Sequence, residues 1–135
     1  AAMSELRCIV VTPERTVLDR QAWFVALPLY DGELGVAPGR SPLIGRLGCG
    51  ELRLETGGGP ERYYIEGGFV EVLNNRVSLL TERAVAAGSL GEPEAREALA
   101  AARGKLARSP EQMAVRDRAV DQARAQLRIA QRNPK

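Results

Sequence analysis

The side chains that carry most enzyme chemistry are unevenly supplied in this chain. Its 135 residues include 17 carboxylates, 19 Lys and Arg, two cysteines and no histidine. Without imidazole there is no Ser-His-Asp or Cys-His arrangement, no His-ligated metal, and no proton shuttle of the usual kind near neutral pH. Cys8 and Cys49 form no C-x-x-C pair and cannot close a zinc site. They read as strand residues in a reducing compartment, where a free Cys behaves as a small buried hydrophobe. Seventeen acids always allow some close pair, yet no spacing marks one. The expectation is a chain with no catalytic residue, no metal site and no chemistry when acting alone.

Glycine offers the other route to a site, a loop that cradles phosphate. The stretch "DGELGVAPGRSPLIG", Asp31 to Gly45, holds four glycines and two prolines. A G-x-x-x-x-G-K-[ST] loop is absent, because neither Lys105 nor Lys135 follows a glycine-rich run in that register. "GRLGCG" at Gly45–Gly50 is not G-x-G-x-x-G, and no helix period follows to offer its N-terminus to an anion. The stretch reads instead as a turn-rich excursion. Gly32, Gly35 and Gly39 allow backbone angles that other residues avoid, while Pro38 and Pro42 fix φ and keep the segment out of sheet ladders.

The elements that must carry these residues show two periods. The first 85 or so residues repeat short β-branched and apolar stretches: Leu6–Thr12, Thr16–Leu18, Ala22–Leu29, Glu51–Glu55, Arg62–Glu66, Val70–Leu73 and Arg76–Thr81. "ELRLE" at Glu51–Glu55 has the alternation of a half-buried strand. The run Gly57–Pro60 and the pair Asn74-Asn75 are turns, the latter suited to type I′. Many short strands with turns at this spacing predict an antiparallel β-sandwich or barrel. With aromatics at 4% of residues, its core must be aliphatic.

The pattern changes at Gly88. Pro93 suits the start of a helix, and Glu94 and Glu97 suit the positive end of its dipole. The spacing of Ala95, Ala98, Leu99, Ala102 and Leu106 continues it until Gly104 and Arg108-Ser109-Pro110 close it. "SPEQ" at Ser109–Gln112 is a capping-box pattern opening a second helix, from Pro110 to about Arg132. Met113, Val120 and Leu127, with Ala123 and Ala130, predict one narrow apolar seam. The expected architecture is a segregated α+β chain, with an all-β sandwich over residues 1–87 and an antiparallel helical hairpin over residues 88–135. So much alanine makes a weak seam, and a weak seam suits a hairpin that detaches and repacks.

Charge follows the same division. Nine basic and eleven acidic side chains up to Ser89 leave −2, whereas ten basic and six acidic from Leu90 leave +4. A basic tail could meet an acidic protein surface, nucleotide phosphate or nucleic acid, or be no more than a solvated helix face. No aromatic lies beyond Phe69, so stacking platforms for single strands are missing from the basic part and nucleic acid is not an expected partner. No apolar run approaches the roughly 20 residues that span a bilayer, and no signal peptide is visible, so the chain reads as cytosolic. Ala1 and Ala2 before Met3 read as an expression scar.

At these residues the sequence resembles a known family. "DGELGVAPGRSPLIG" is similar to the G-E-L-G-x-x-P-G-H-x-P-L segment of the epsilon subunits of bacterial F-type ATP synthases, counterparts of mitochondrial delta. "YIEGGFVEVLNNRVSLLTERA" resembles the family's S-G-G-x-x-E-V-x-x-N-x-V-x-x-L stretch, and "AQLRIA" the close of its second helix. The resemblance implies a non-catalytic subunit of the central stalk of a proton- or sodium-translocating synthase, peripheral on the cytoplasmic face of the bacterial inner membrane. It would touch the membrane only through the complex. Its sandwich would pack on the gamma subunit and stand on the c-ring, and its helices would restrain ATP hydrolysis against the beta and alpha subunits of the head. Carried over by position, Glu33 with Gly32 and Gly35 falls on the ring-facing loop. Arg40, where the family often has His, falls on the gamma-facing side with Pro38 and Pro42. Arg116, Arg124 and Arg128 are the candidates for an inhibitory helix face. The family's ATP-binding motif [IL]-D-x-x-R-A meets Leu90-Gly91-Glu92-Pro93-Glu94-Ala95, with Gly91 at the Asp place and Glu94 at the Arg place, so ATP binding is expected to be weak or absent and no cofactor is assigned. The alternative is a β-sandwich adaptor unrelated to the synthase, whose helices bind another partner.

Overall fold

A computed structural model describes residues 5–133; the Ala1-Ala2-Met3 start lies outside them. The chain divides into two compact units, one up to Val85 and one from Ala86 onward. The first carries strands β1 (Leu6–Val11), β2 (Thr16–Ala22), β3 (Phe24–Leu29), β4 (Gly32–Val36), β5 (Leu43–Thr56), β6 (Gly59–Leu73) and β7 (Arg76–Leu80), with β8 (Ala84–Ala86) running one residue past the division. They hydrogen-bond in the order β2-β1-β7-β6-β5-β3-β4, with β8 on β6. β1 and β7 pair in parallel, and the other neighbours along this path are antiparallel.

The length of β5 and β6, 14 and 15 residues, is what turns this sheet into a sandwich. The two pair with each other along their length. The Phe69–Leu73 end of β6 also pairs with β7 and the Arg53–Glu55 end of β5 with β3, so both strands contribute to both layers. A single core joins Leu6, Cys8 and Val10 of β1 with Val77 and Leu79 of β7, Val25 and Leu27 of β3, and Leu52 and Leu54 of β5. It is aliphatic, as the composition requires. Tyr64 is fully buried, and its hydroxyl donates to Glu66 at 2.8 Å, which removes the cost of burying a phenol. The β6–β7 turn has positive φ at both Asn74 (51°) and Asn75 (62°), the conformation a type I′ hairpin demands.

Three sequence expectations are corrected here. The glycine- and proline-rich stretch does not stay out of the sheet. Gly32–Val36 is β4, laddered to β3 with Leu34 opposite Leu27 and Glu33 opposite Pro28, and only residues 37–42 are loop. The second strand does not stop at Leu18 but runs to Ala22, and a bend at Trp23 separates it from β3. β5 begins at Leu43, eight residues before the alternating "ELRLE", so "GRLGCG" is strand.

The second unit opens with a short 3₁₀ turn, Ala87–Ser89, followed by α1 (Glu92–Arg103) and α2 (Pro110–Gln131). Gly104 closes α1, and Ser109 caps α2 by accepting the Gln112 amide hydrogen at 3.1 Å. The Gln112 side chain returns the favour one residue earlier than an ideal capping box, taking the Arg108 N–H at 2.8 Å. At the far end Asn133 donates from its side chain to the carbonyls of Ala87 and Leu90, tying the end of α2 to the start of the unit. The seam differs from expectation. Leu106 sits in the loop, Met113 is exposed, and Val120 and Leu127 are half-buried. The buried side chains are Ala95, Leu99 and Ala102 on α1 and Ala123, Ala125, Ile129 and Ala130 on α2.

Candidate interaction site

The sandwich offers no enclosed site with converging catalytic groups among the described residues. A cavity of about 420 Å³ is lined by Thr12, Glu14, Arg15, Glu66, Glu82 and Arg83, with Val17, Ala84 and Val85. Its charges are carboxylates and guanidiniums without a nucleophile, since the Thr12 hydroxyl donates to the Arg15 carbonyl at 3.2 Å. No acid or cysteine cluster among the described residues could hold a metal. Cys8 is fully buried, and desolvation, helped by the Asp19 charge, pushes its thiol up to about 12. Such a thiol is protonated and inert at neutral pH.

What the sandwich does expose is an apolar row on the outer face of its β1-β7-β6-β5 layer. Register places Arg46 of β5 opposite Phe69 of β6, Phe69 opposite Leu80 of β7, and Leu80 opposite Val11 of β1. Phe69 is 60% exposed and Leu80 59%, and Ile44, next outward-facing position on β5, is 76%. On β6 the inward residues Val70 and Val72 alternate with outward Phe69, Glu71 and Leu73, so the outward face there carries apolar side chains on either side of Glu71. Apolar side chains on both faces mark a sheet surface that meets something besides water. The sequence carried the signal in Phe69, one of two phenylalanines, and in the consecutive Leu79-Leu80, one of which must point outward.

The candidates drawn from the resemblance fall into separate places. Gly32 and Glu33 lie at the β3–β4 turn, both exposed, and Gly35 lies two residues on. A side chain at Gly35 would press within 2.8 Å of the Phe24 ring. Arg40 and Pro42 are exposed and Pro38 half-buried beyond the other end of β4. There the Arg40 amide donates to the Ala37 carbonyl at 3.3 Å, and the Gly39 amide donates to the Asn75 side chain at 2.8 Å, pinning the loop to the β6–β7 turn. At about 3.4 Å per strand residue, Glu33 and Arg40 are a strand length apart and form no common site.

On α2, Arg124 and Arg128 are exposed and share a face four residues apart, whereas Arg116 lies roughly 80–120° around the helix from them. Arg116 is half-buried beside Asp117, at 3.6 Å, and borders a cavity of about 350 Å³ with Lys105, Leu106, Glu111, Gln112 and Val115. At the start of α1 a side chain on Gly91 would collide with the Glu94 carboxylate, and Arg96 is held by Glu92 at 2.6 Å.

Residues 5–87 match the family model described as the ATP synthase delta/epsilon chain, beta-sandwich domain. The chain belongs to the delta/epsilon family of ATP synthase subunits. It is 54% identical over 125 residues to the ATP synthase epsilon chain of Rhodopirellula baltica, covering 93% of this chain and 98% of that one. To the epsilon chain of Nitratidesulfovibrio vulgaris it is 36% identical over 120 residues, covering 89% and 84%. Its fold is shared with a chain in the cryo-EM structure of the Euglena gracilis mitochondrial ATP synthase (OSCP/F1/c-ring in rotational state 1). The TM-score there is 0.82 at 22% identity, over 93% of this chain and 81% of that one. No helix of this epsilon-family chain among the described residues is long and apolar enough to cross a membrane.

Proposed function

We propose that this epsilon-family chain is a non-catalytic rotor subunit of a proton- or sodium-translocating ATP synthase. Residues 1–87 anchor on the gamma subunit and the c-ring, and residues 88–135 restrain ATP hydrolysis by engaging the beta and alpha subunits. The chain is peripheral on the cytoplasmic face of the bacterial inner membrane and reaches the membrane only through the complex. The observation that carries the reading is the row Phe69–Leu80–Val11 with Ile44, an outward apolar face suited to permanent contact with another subunit. Gly32 and Glu33 at the exposed β3–β4 turn supply a polar tip for the ring's loops, and Pro38, Arg40 and Pro42 extend the gamma-facing side. Arg124 and Arg128, on a helix face they share with Asp117 and Asp121, are the cations that meet an acidic surface of the head. With Gly91 at the Asp place and Glu94 at the Arg place of the nucleotide motif, ATP binding to the hairpin is weak or absent.

The test is binding of the full chain to a head assembled from alpha, beta and gamma subunits. Leu80→Asp adds a charge to the row without touching the core, and it should weaken binding at least tenfold with little change in melting temperature. Unchanged affinity would remove the row from the interface.

A further inference from the structure

The "GRLGCG" run, which fits no nucleotide fingerprint, shapes the approach of β3 to β5. A Cβ at Gly50 would come within 2.8 Å of Pro28, one at Gly45 within 3.2 Å of the Leu29 side chain, and one at Gly48 within 3.2 Å of the Leu29 carbonyl and 3.4 Å of Tyr30 Cα. Glycine at these positions lets the end of β3 lie against β5, where the Tyr30 amide donates to the Arg46 carbonyl at 2.8 Å. The Arg46 guanidinium then stacks on the Tyr30 ring, 4.6 Å from its centroid.

This ring is not packed in a core, being 70% exposed. Arg46 is exposed too and forms no ion pair among the described residues. A guanidinium held over a ring with no ion pair still has N–H groups to offer an acceptor, and its fork matches a carboxylate. Tyr and Arg dominate the residues that carry binding energy at interfaces, and side chains already held in place lose less freedom on binding. Arg46 is also the cross-strand neighbour of Phe69, so the stack extends the apolar row by one position.

We propose that the Tyr30–Arg46 stack is the specificity-determining end of this docking face, where Arg46 takes a carboxylate side chain of the gamma subunit and the Tyr30 ring shields the pair from water. The proposal rests on the reading of the apolar row as the gamma-binding face. It adds to that face a charged partner that the row alone does not require.

The experiment is equilibrium titration of the full chain into the alpha–beta–gamma head at low and raised salt, with melting curves for every variant. Arg46→Gln should weaken binding about tenfold and flatten its salt dependence. Tyr30→Ala should weaken it by a similar factor, and Tyr30→Phe, which keeps the ring, should bind like the parent. If Leu80→Asp weakens binding while Arg46→Gln and Tyr30→Ala do not, the stack has no role and the gamma-facing row stands. An Arg46→Gln loss with unchanged salt dependence would overturn the carboxylate partner. If Leu80→Asp also binds like the parent, the face itself is misassigned and the stack's role falls with it.

Discussion

Gly68 shows how much one position can decide. Its φ is +107°, and an added Cβ would overlap the Leu80 carbonyl across the β6–β7 ladder. Gly68→Ala should therefore cost roughly 1–3 kcal/mol from backbone conformation alone, with steric overlap added, read as a lower urea midpoint. Gly57→Ala, in the open β5–β6 turn, is the control and should stay within about 0.5 kcal/mol of the parent. Cys8 makes a pH prediction. Burial raises its thiol from 9.0 to about 12, so the folded chain holds that proton more tightly than the unfolded one. Its contribution is complete below about pH 9 and is lost as the pH climbs toward 12, because the unfolded thiol ionises first. Tyr63, raised first by burial and then by its hydrogen bond to Glu61, acts in the same direction. Urea midpoints should fall above about pH 9, and less steeply in Cys8→Ala. An equally steep fall in that variant would contradict the assignment to Cys8.

Among the elements, the helices were the most legible in the sequence, because their ends are set by local chemistry. Gly104 and Ser109-Pro110 act within one turn of themselves, and the end of α1 and the start of α2 follow from them. The seam was less legible because it depends on length. α1 has 12 residues and α2 has 22, and the segment after Gly104 runs irregularly beside the first turns of α2. Leu106 and Met113 keep helical spacing in the sequence yet have no helix opposite them. β4 was missed for a related reason: two glycines in five residues carry no strand propensity, and only its ladder to β3 defines it. The apolar row and the Tyr30–Arg46 stack needed register across β1, β7, β6 and β5 and the end of β3, which no single stretch encodes. In the hairpin only Leu99 and Ile129 among the buried side chains exceed alanine in size. Its amides should exchange with solvent faster than those of β5 and β6, and Ser109→Ala should lower the unit's stability by about 1 kcal/mol. Hairpin exchange as slow as that of the central strands would contradict a conditionally stable unit.

At the scale of the whole molecule, two units with different economies lie on one chain. The sandwich has a continuous aliphatic core and an outward apolar row, the properties of a permanent anchor. The hairpin carries a net +4 from Leu90 onward with little buried apolar bulk, the properties of a part that changes partners. On the proposed function, the first unit holds this subunit on the rotor while the second restrains hydrolysis. ATP hydrolysis by an alpha–beta–gamma head, titrated with the full chain and with a version ending at Ala87, tests it most directly. Both should saturate at a single copy per head, and only the full chain should slow hydrolysis. Binding by both with no slowing by either would contradict the brake, and binding by neither would contradict the anchor.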